Sequence, residues 1–478
     1  MKIVMAAAEC VPFVKTGGLA DVMGALPKEL VALGHEVTVI LPKYSLIPEE
    51  YENEFSMFGE IQVPFKGGQN THTLFEYVLK GVRYVLVEND SYFAREQIYS
   101  QPDDGERFAF FNRAVLAAVE TLEEGVDILH IHDWHTGMVP FLLKEDARYA
   151  SLKQNVKTIL TIHNLQFQGW FPKSLLVEEL GMGEAYFQDE AVSWHNNVNF
   201  LKTGIVYADK VTTVSPTYRN EILTEQYGEK LDSLLRTREE DLIGILNGLD
   251  TEAYNPAADM DIEMVYDQTS VENKAVNKRA VQSRFGLPER GDVPLLTMVS
   301  RLSGQKGIDV LEQTLPGILE TQDVQFVLLG SGESQYEQFF GVLEADFPGK
   351  VVAHIGFDES LAHLLYAGAD IFLMPSHFEP CGLSQLVSMR YGTVPVANKT
   401  GGLKDTVVEY DPDLQSGNGF LSDFSKQESF AEAVNRALSL YQQPEHWKMI
   451  KQNGMRGDYS WSRSAKEYAS VYEGIAGK

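Results

Sequence analysis

Cysteine is nearly absent: Cys10 and Cys381 are the only two among 478 residues. A pair so far apart builds no disulfide framework and suits a reducing compartment. Basic charge is also short, with 40 Lys and Arg against 68 Asp and Glu, a net charge of −28. That balance repels nucleic acid and anionic membrane surfaces, because neutralising a row of phosphates needs a basic face. No apolar stretch approaches the ~20 residues that a membrane-crossing helix requires. The first apolar run, 3–8, is too short for a signal peptide and ends at Glu9 instead of a small-residue cleavage site. The expectation is a cytoplasmic protein, without nucleic-acid or membrane partners, whose phosphorylated ligand is held by a few local cations.

What is present is ordinary globular composition, 44% hydrophobic and 11% aromatic, in a chain long enough for two domains with separate cores. Short β-branched or apolar runs alternate with amphipathic helical patterns. Strands are expected at 3–8, 36–41, 84–87, 127–131, 158–162 and 210–214. A second series is expected at 295–299, 325–329, 351–355, 371–374 and 394–397. The pattern predicts an α/β fold with parallel sheets of βαβ units. Segments 62–65 and 73–79 read as an inserted hairpin turning at Gly67-Gly68. The domains are expected at 1–247 and 248–458, with the hinge near Asn247-Gly248. The tail, 459–478, carries Trp461, Tyr468, Val471 and Tyr472 at helical spacing and could pack on either domain.

Lys15-Thr16-Gly17-Gly18-Leu19 lies between the first strand and a helical pattern, 20–33. Strand, glycine turn and helix make an anion site, since glycines let backbone N–H groups approach a phosphate at the positive end of the helix dipole. Lys15 adds a full charge. The same five residues recur at Lys399-Thr400-Gly401-Gly402-Leu403, again after a strand-like run. Together they suggest two α/β domains facing one phosphorylated ligand; each alone is equally readable as a plain turn.

Further motifs fall at expected strand ends, where open parallel sheets bind ligands. In Ser300-Arg301-Leu302-Ser303-Gly304-Gln305-Lys306-Gly307, two cations can neutralise a diphosphate and stabilise its charge as it departs, or simply complete surface ion pairs. Gly330-Ser331-Gly332-Glu333 starts like a dinucleotide fingerprint but lacks the third glycine, which favours a phosphate or ribose near backbone over NAD. In His377-Phe378-Glu379-Pro380-Cys381-Gly382-Leu383-Ser384, Glu379 can accept hydrogen bonds from vicinal sugar hydroxyls, and Gly382, Leu383 and Ser384 offer N–H groups. Cys381 lacks a His-Asn pattern and reads as a small buried thiol lining the pocket. His130, His132 and His135 surround Asp133, yet no closed ligand set accompanies them, so no metal is expected. His163 and Asn164 end the next strand, where a histidine can serve as acid/base or sugar ligand. Asn247 can reach the ligand from the hinge.

Lys15 to Asp21, His132-Asp133-Trp134-His135, Thr161 to Leu165, Gly244 to Gly248, Ser300 to Gly307, Glu379 to Gln385 and Thr400 to Leu403 together resemble the bacterial glycogen synthase and plant starch synthase family of GT-B glycosyltransferases. The resemblance covers essentially the whole chain. It implies two Rossmann-like, doubly wound domains with a deep cleft, the tail helix crossing back to the first. It also implies transfer of glucose from ADP-glucose to the non-reducing end of glycogen or another α-1,4-glucan with retention, without metal or cofactor. By that likeness Lys15, Gly17 and Gly18 contact diphosphate and sugar, Arg301 and Lys306 cradle the leaving ADP, and Gln305 and Gly332 belong to the same pocket. Glu379 holds glucose hydroxyls, Gly382, Leu383 and Ser384 bind phosphate, and His163 sits beneath the anomeric carbon. Asp21, Asp133 and Asn247 orient donor or acceptor, Phe357 lies beside adenine, and Asn164 is a substrate-binding candidate beside His163. The wider class often carries a second glutamate eight positions after the first, to grip ribose; here that position is Val387.

A retaining glycosidase wants paired carboxylates ~5–5.5 Å apart, and no second carboxylate stands out opposite Glu379. Same-face substitution through an oxocarbenium-like state is therefore expected. The rivals are an NAD-dependent dehydrogenase, whose full glycine fingerprint is missing, a binding module without catalysis, a phosphorylase carrying pyridoxal phosphate, and a related transferase using UDP-glucose.

Overall fold

The computed structural model describes residues 1–122, 125–188, 190–424, 426 and 428–477. They form two compact units, Met1–Gly248 together with the stretch from Trp461 onward, and Leu249–Ser460.

The first unit is built on a nine-stranded sheet in the order Leu242–Gly244, Lys210–Thr213, Lys157–Ile162, Ile128–His132, Lys2–Ala6, Glu36–Pro42, Val82–Val87, Gly68–Leu79, Ser56–Phe65. Seven are parallel, and such strands are covered on both faces, which is why they read as unbroken apolar runs. The last two form an antiparallel hairpin, longer than expected, whose Phe65↔Gly68 pairing puts the turn at Lys66-Gly67, both at positive φ. Strand Lys2–Ala6 has neighbours that follow it in opposite directions of chain order, which makes its junction with Ile128–His132 the switch point where open sheets bind ligands. Helix Trp461–Ala476 packs on this unit, burying Trp461, Ala465, Tyr468 and Tyr472 at intervals of three and four.

The second unit holds six parallel strands in the order Val351–Ile355, Gln325–Gly330, Leu295–Val299, Ile371–Met374, Val394–Asn398, Phe420–Ser422. Its switch point lies between Leu295–Val299 and Ile371–Met374. Strands of two or three residues at Leu242–Gly244, Phe420–Ser422 and in a small sheet of Trp170–Pro172, Asn197–Asn199 and Ser193–Trp194 escape sequence reading, because so few residues carry no period.

Beneath this second sheet, Lys274 begins helix Lys274–Arg284 and is buried. Its Nζ lies within hydrogen-bond distance of the carbonyls of Ala367 (2.7 Å), Tyr391 (3.0 Å) and Tyr366 (3.2 Å) and of Thr393 Oγ1 (2.8 Å), and burial holds the amine well below the usual lysine range. It satisfies the carbonyl ends of helices Glu359–Gly368 and Ser384–Arg390. Lys274→Met keeps the chain length but takes the donor from the buried Ala367 carbonyl, while Tyr391 O keeps the Tyr266 hydroxyl (2.6 Å) and Tyr366 O keeps that of Thr393 (2.6 Å). A loss of about 3 kcal/mol is expected, read from urea denaturation.

Candidate active site

At the switch point of the first unit, the chain leaving Lys2–Ala6 carries Glu9, which is buried. Its Oε2 accepts the amides of Thr16 (2.5 Å) and Gly17 (3.1 Å). Burial pushes the Glu9 carboxyl up to about 7, against the pull of those amides and of the Tyr99 hydroxyl. The Lys15–Gly18 loop is thus tied down by a carboxylate from the preceding strand. Lys15 reaches Asp21 at 2.7 Å across the first helical turn. Gly17 is extended, and a Cβ on Gly18 would meet nothing within 4 Å. Neither glycine is demanded by a left-handed backbone here, and Gly18 leaves open space above the helix start.

Strand Ile128–His132 delivers the histidine motif. Asp133 sits at φ 56°, an uncommon conformation for a residue with a side chain and frequent at functional sites. It is held by its own amide donating to Thr161 O (2.9 Å) and by its Oδ1 accepting the His163 amide (2.7 Å). Burial raises the Asp133 carboxyl to about 7, and the amides of His163 and Asn164 oppose this. His132 Nδ1 meets His163 Nε2 at 2.9 Å. His130 meets Thr161 Oγ1 (2.6 Å) and, from the C-terminal helix, the Tyr472 hydroxyl (2.8 Å). Burial lowers His130, His135 and His163 to about 3 and holds His132 well below the usual imidazole range, so all four are neutral near pH 7. The His130 and His132 rings lie 4.2 Å apart at 33°, and those of Trp134 and His135 4.0 Å apart at 32°. The one set of possible metal ligands among the described residues is elsewhere, at Asp259, Asp261 and His363. Asn164 follows His163, with its Oδ1 accepting the Gln166 amide. Asn247 keeps a buried Oδ1 without a hydrogen-bond partner, an acceptor that a ligand hydroxyl would satisfy.

In the second unit, Arg301 follows strand Leu295–Val299 and is exposed. Lys306 Nζ stands 2.7 Å from Glu379 Oε2, which also accepts Ser376 Oγ (3.0 Å). Gln305 joins the same turn, donating to Phe378 O (3.3 Å) and accepting the His377 amide on its backbone oxygen (3.0 Å). The close approach requires Gly307 at φ 71°, where a Cβ would stand 2.0 Å from Pro375 O. Cys381 is buried, and Gly382, Leu383 and Ser384 lead into helix Ser384–Arg390, with Gln385 donating to the carbonyls of Cys381 and Gly382. The Gly332 amide is taken by Glu337 Oε1 at 2.9 Å. Its missing Cβ is explained by Leu302 O, 2.2 Å from where that atom would be. Phe357 is 85% exposed on the loop after Val351–Ile355. Val387 is core, 1% exposed, and offers nothing to a ribose.

The second copy of the glycine motif does a different job from the first. Gly402 donates to the carbonyls of Glu379 (3.0 Å) and Pro380 (3.2 Å). A Cβ on Gly401 would lie 1.8 Å from Glu379 O, and one on Gly402 would lie 2.0 Å from Cys381 O. Lys399 is exposed. This copy therefore clamps the peptide that presents Glu379. Sequence reading also passed over Glu9, Tyr99 and Ser376. A lone carboxylate at the ligand edge of the first strand was the available signal for Glu9; Tyr99 and Ser376 carry none, because only the fold brings them in.

Comparison with known proteins follows the same division. Residues 2–237 match the family model of the starch synthase catalytic domain, and 281–454 match that of glycosyl transferases group 1. The chain is 48% identical over 478 residues to a glycogen synthase of Geobacillus thermodenitrificans, spanning 100% of this chain and 98% of the relative. It is 48% identical over 475 residues to a glycogen synthase of Bacillus subtilis, spanning 99% and 98%. Among solved structures, the catalytic domain of starch synthase IV from Arabidopsis thaliana, bound to ADP and acarbose, superposes with TM-score 0.92 at 33% identity, covering 100% and 99%. A sucrose-phosphate synthase of Thermosynechococcus elongatus shares the fold at TM-score 0.62 and 17% identity, covering 99% of this chain and 98% of that one.

Proposed function

The chain belongs to the bacterial glycogen synthase and plant starch synthase family of GT-B glycosyltransferases, and from that premise we propose that it moves glucose from ADP-glucose to the non-reducing 4-hydroxyl of an α-1,4-glucan with retention, releasing ADP. The observation that carries the assignment of roles is the Lys306–Glu379 pair at the switch point of the second unit. A cation and a carboxylate 2.7 Å apart match the two needs of a sugar diphosphate, charge neutralisation and hydroxyl recognition.

Residues 249–460 take the donor side. Arg301 and Lys306 hold the diphosphate, Gln305 supports that turn, Glu379 receives glucose hydroxyls, Gly382, Leu383 and Ser384 offer amides to phosphate, Cys381 lines the pocket, and Phe357 stacks on adenine. Gly332 belongs near the ribose. Residues 1–248 supply Lys15, Gly17 and Gly18 toward diphosphate and sugar, with Asp21, Asp133, Asn164 and Asn247 orienting donor or acceptor. The C1–O bond of the donor breaks with its electron pair going to the β-phosphate oxygen. The acceptor O4 bonds to C1 on the same face and gives its proton to that oxygen. His163 lies beneath C1, where positive charge develops. Its low pKa matters, because an imidazolium there would repel the oxocarbenium-like state. Cys10 and Cys381 are both buried and form no disulfide, in keeping with a cytoplasmic setting.

The direct test is incorporation of labelled glucose into glycogen from ADP-glucose and, separately, UDP-glucose. Incorporation from the adenine donor with ADP release is expected; its absence with both donors overturns the reading. Gly18→Ala adds a sharper check. The protein has room for the new methyl group, so stability should stay within about 0.5 kcal/mol. KM for ADP-glucose should nevertheless rise about tenfold, because the methyl group occupies donor space.

A further inference from the structure

The segment that begins at His163 contains two large aromatic side chains that the reaction scheme leaves unused. Phe167 is 54% and Trp170 45% exposed, and they are the only phenylalanine and tryptophan so open among the described residues of the first unit. Exposed rings on a flexible loop would carry little meaning, but the backbone of this segment is held at several points. The Phe167 amide donates to Asn164 O (3.2 Å), and Leu165, buried, donates its amide to the Tyr218 hydroxyl (3.0 Å). Gly169, at φ 68°, packs so tightly on Trp134 that a Cβ would lie 2.5 Å from the ring. Its carbonyl accepts the Phe200 amide, and that of Gln168 accepts the Leu201 amide, both at 3.0 Å.

Trp170 is aimed as well as exposed. Its indole N–H donates to Gln168 Oε1 at 3.0 Å. Gln168 is buried, and the same oxygen accepts Asn199 Nδ2 (2.7 Å) while its Nε2 donates to Glu229 O (3.0 Å). One edge of the indole is thereby locked, and 45% of the residue still faces solvent. A fold that fixes an apolar ring and leaves it wet has prepared a contact surface for something else.

We infer that Phe167 and Trp170 offer a stacking platform for pyranose rings of the glucan acceptor. The inference rests on the acceptor being a glucan, as proposed above. A pyranose presents a face of C–H groups, which suits the electron-rich face of an aromatic ring, and a rim of hydroxyls that stays in water. Rigid rings lose little conformational entropy on binding, and the indole of Trp170 is pre-set by its hydrogen bond to Gln168.

Two measurements test this separately from the transfer reaction. Maltoheptaose is titrated calorimetrically without donor into the full chain, into Trp170→Ala and Phe167→Ala, and into Trp170→Phe. Each alanine variant should weaken Kd about tenfold, while Trp170→Phe stays within about threefold of the parent. KM for glycogen should follow Kd, with the loss residing in KM and not in kcat, and near-UV circular dichroism should show the fold retained. Unchanged Kd and KM in both alanine variants, or no binding of maltoheptaose by the parent, overturns the platform. Failure of the parent to transfer glucose while these Kd differences hold would overturn the proposed reaction and leave the platform standing.

Discussion

Lys306→Ala is expected to lower kcat for glucose transfer by about a thousandfold while the protein remains folded. Breaking the donor's C1–O bond places a further charge on a diphosphate, and in the proposed scheme Lys306 is a fixed cation that stabilises that charge more in the transition state than in the ground state. The side chain is 17% exposed, so water cannot replace it cheaply. A loss confined to KM would mean that Lys306 only binds the donor, and would remove it from the catalytic step.

Its partner gives the prediction a second edge. The Glu379 side chain is 8% exposed and shares its Oε2 between Lys306 and Ser376. Removing the lysine leaves a buried carboxylate without its counter-charge, held only by Ser376 Oγ. Lys306→Ala should therefore also lose Glu379's grip on glucose hydroxyls, and the effects of Lys306→Ala and Glu379→Ala should not add. Glu379→Ala alone is expected to cost at least about a hundredfold, and the double variant little more than the worse single one. Additive losses would show two independent roles. Incorporation of labelled glucose under saturating donor and glycogen reads all three.

How much of this was legible beforehand depends on the range of the interaction. Parallel strands covered on both faces announce themselves as Val-, Ile- and Leu-rich runs, so 295–299 and 371–374 could be placed, and with them the edge that carries Arg301, Lys306 and Glu379. The pairing of Lys306 with Glu379 could not, since 73 residues separate them and only the switch-point topology joins them. Neutrality of the four histidines was equally out of reach, because it comes from burial under residues as distant as Tyr472. Val387 illustrates the reverse case: its absence of charge was visible in the sequence, and its place in the core explains it.

The two glycine motifs show the limit most clearly, and Gly402→Ala tests it. Sequence treats Lys15–Leu19 and Lys399–Leu403 as the same device. In the first, a methyl group on Gly18 would have no neighbour within 4 Å, and the loop's amides are held by Glu9. In the second, Gly402 lies under the backbone of Glu379–Cys381, with Cys381 O 2.0 Å from where a Cβ would go. A backbone carbonyl cannot rotate aside as a flexible side chain can, so the clamp must open. Gly402→Ala is expected to cost about 3 kcal/mol in urea denaturation. Because the displaced peptide is the one that carries Glu379, kcat/KM should also fall by more than about a hundredfold, as a shift near 1 Å suffices for that. Gly18→Ala, the same substitution in the same five-residue motif, should leave the denaturation midpoint where it was. If the two variants lost stability equally, the difference between an open ligand edge and a packed clamp would be refuted.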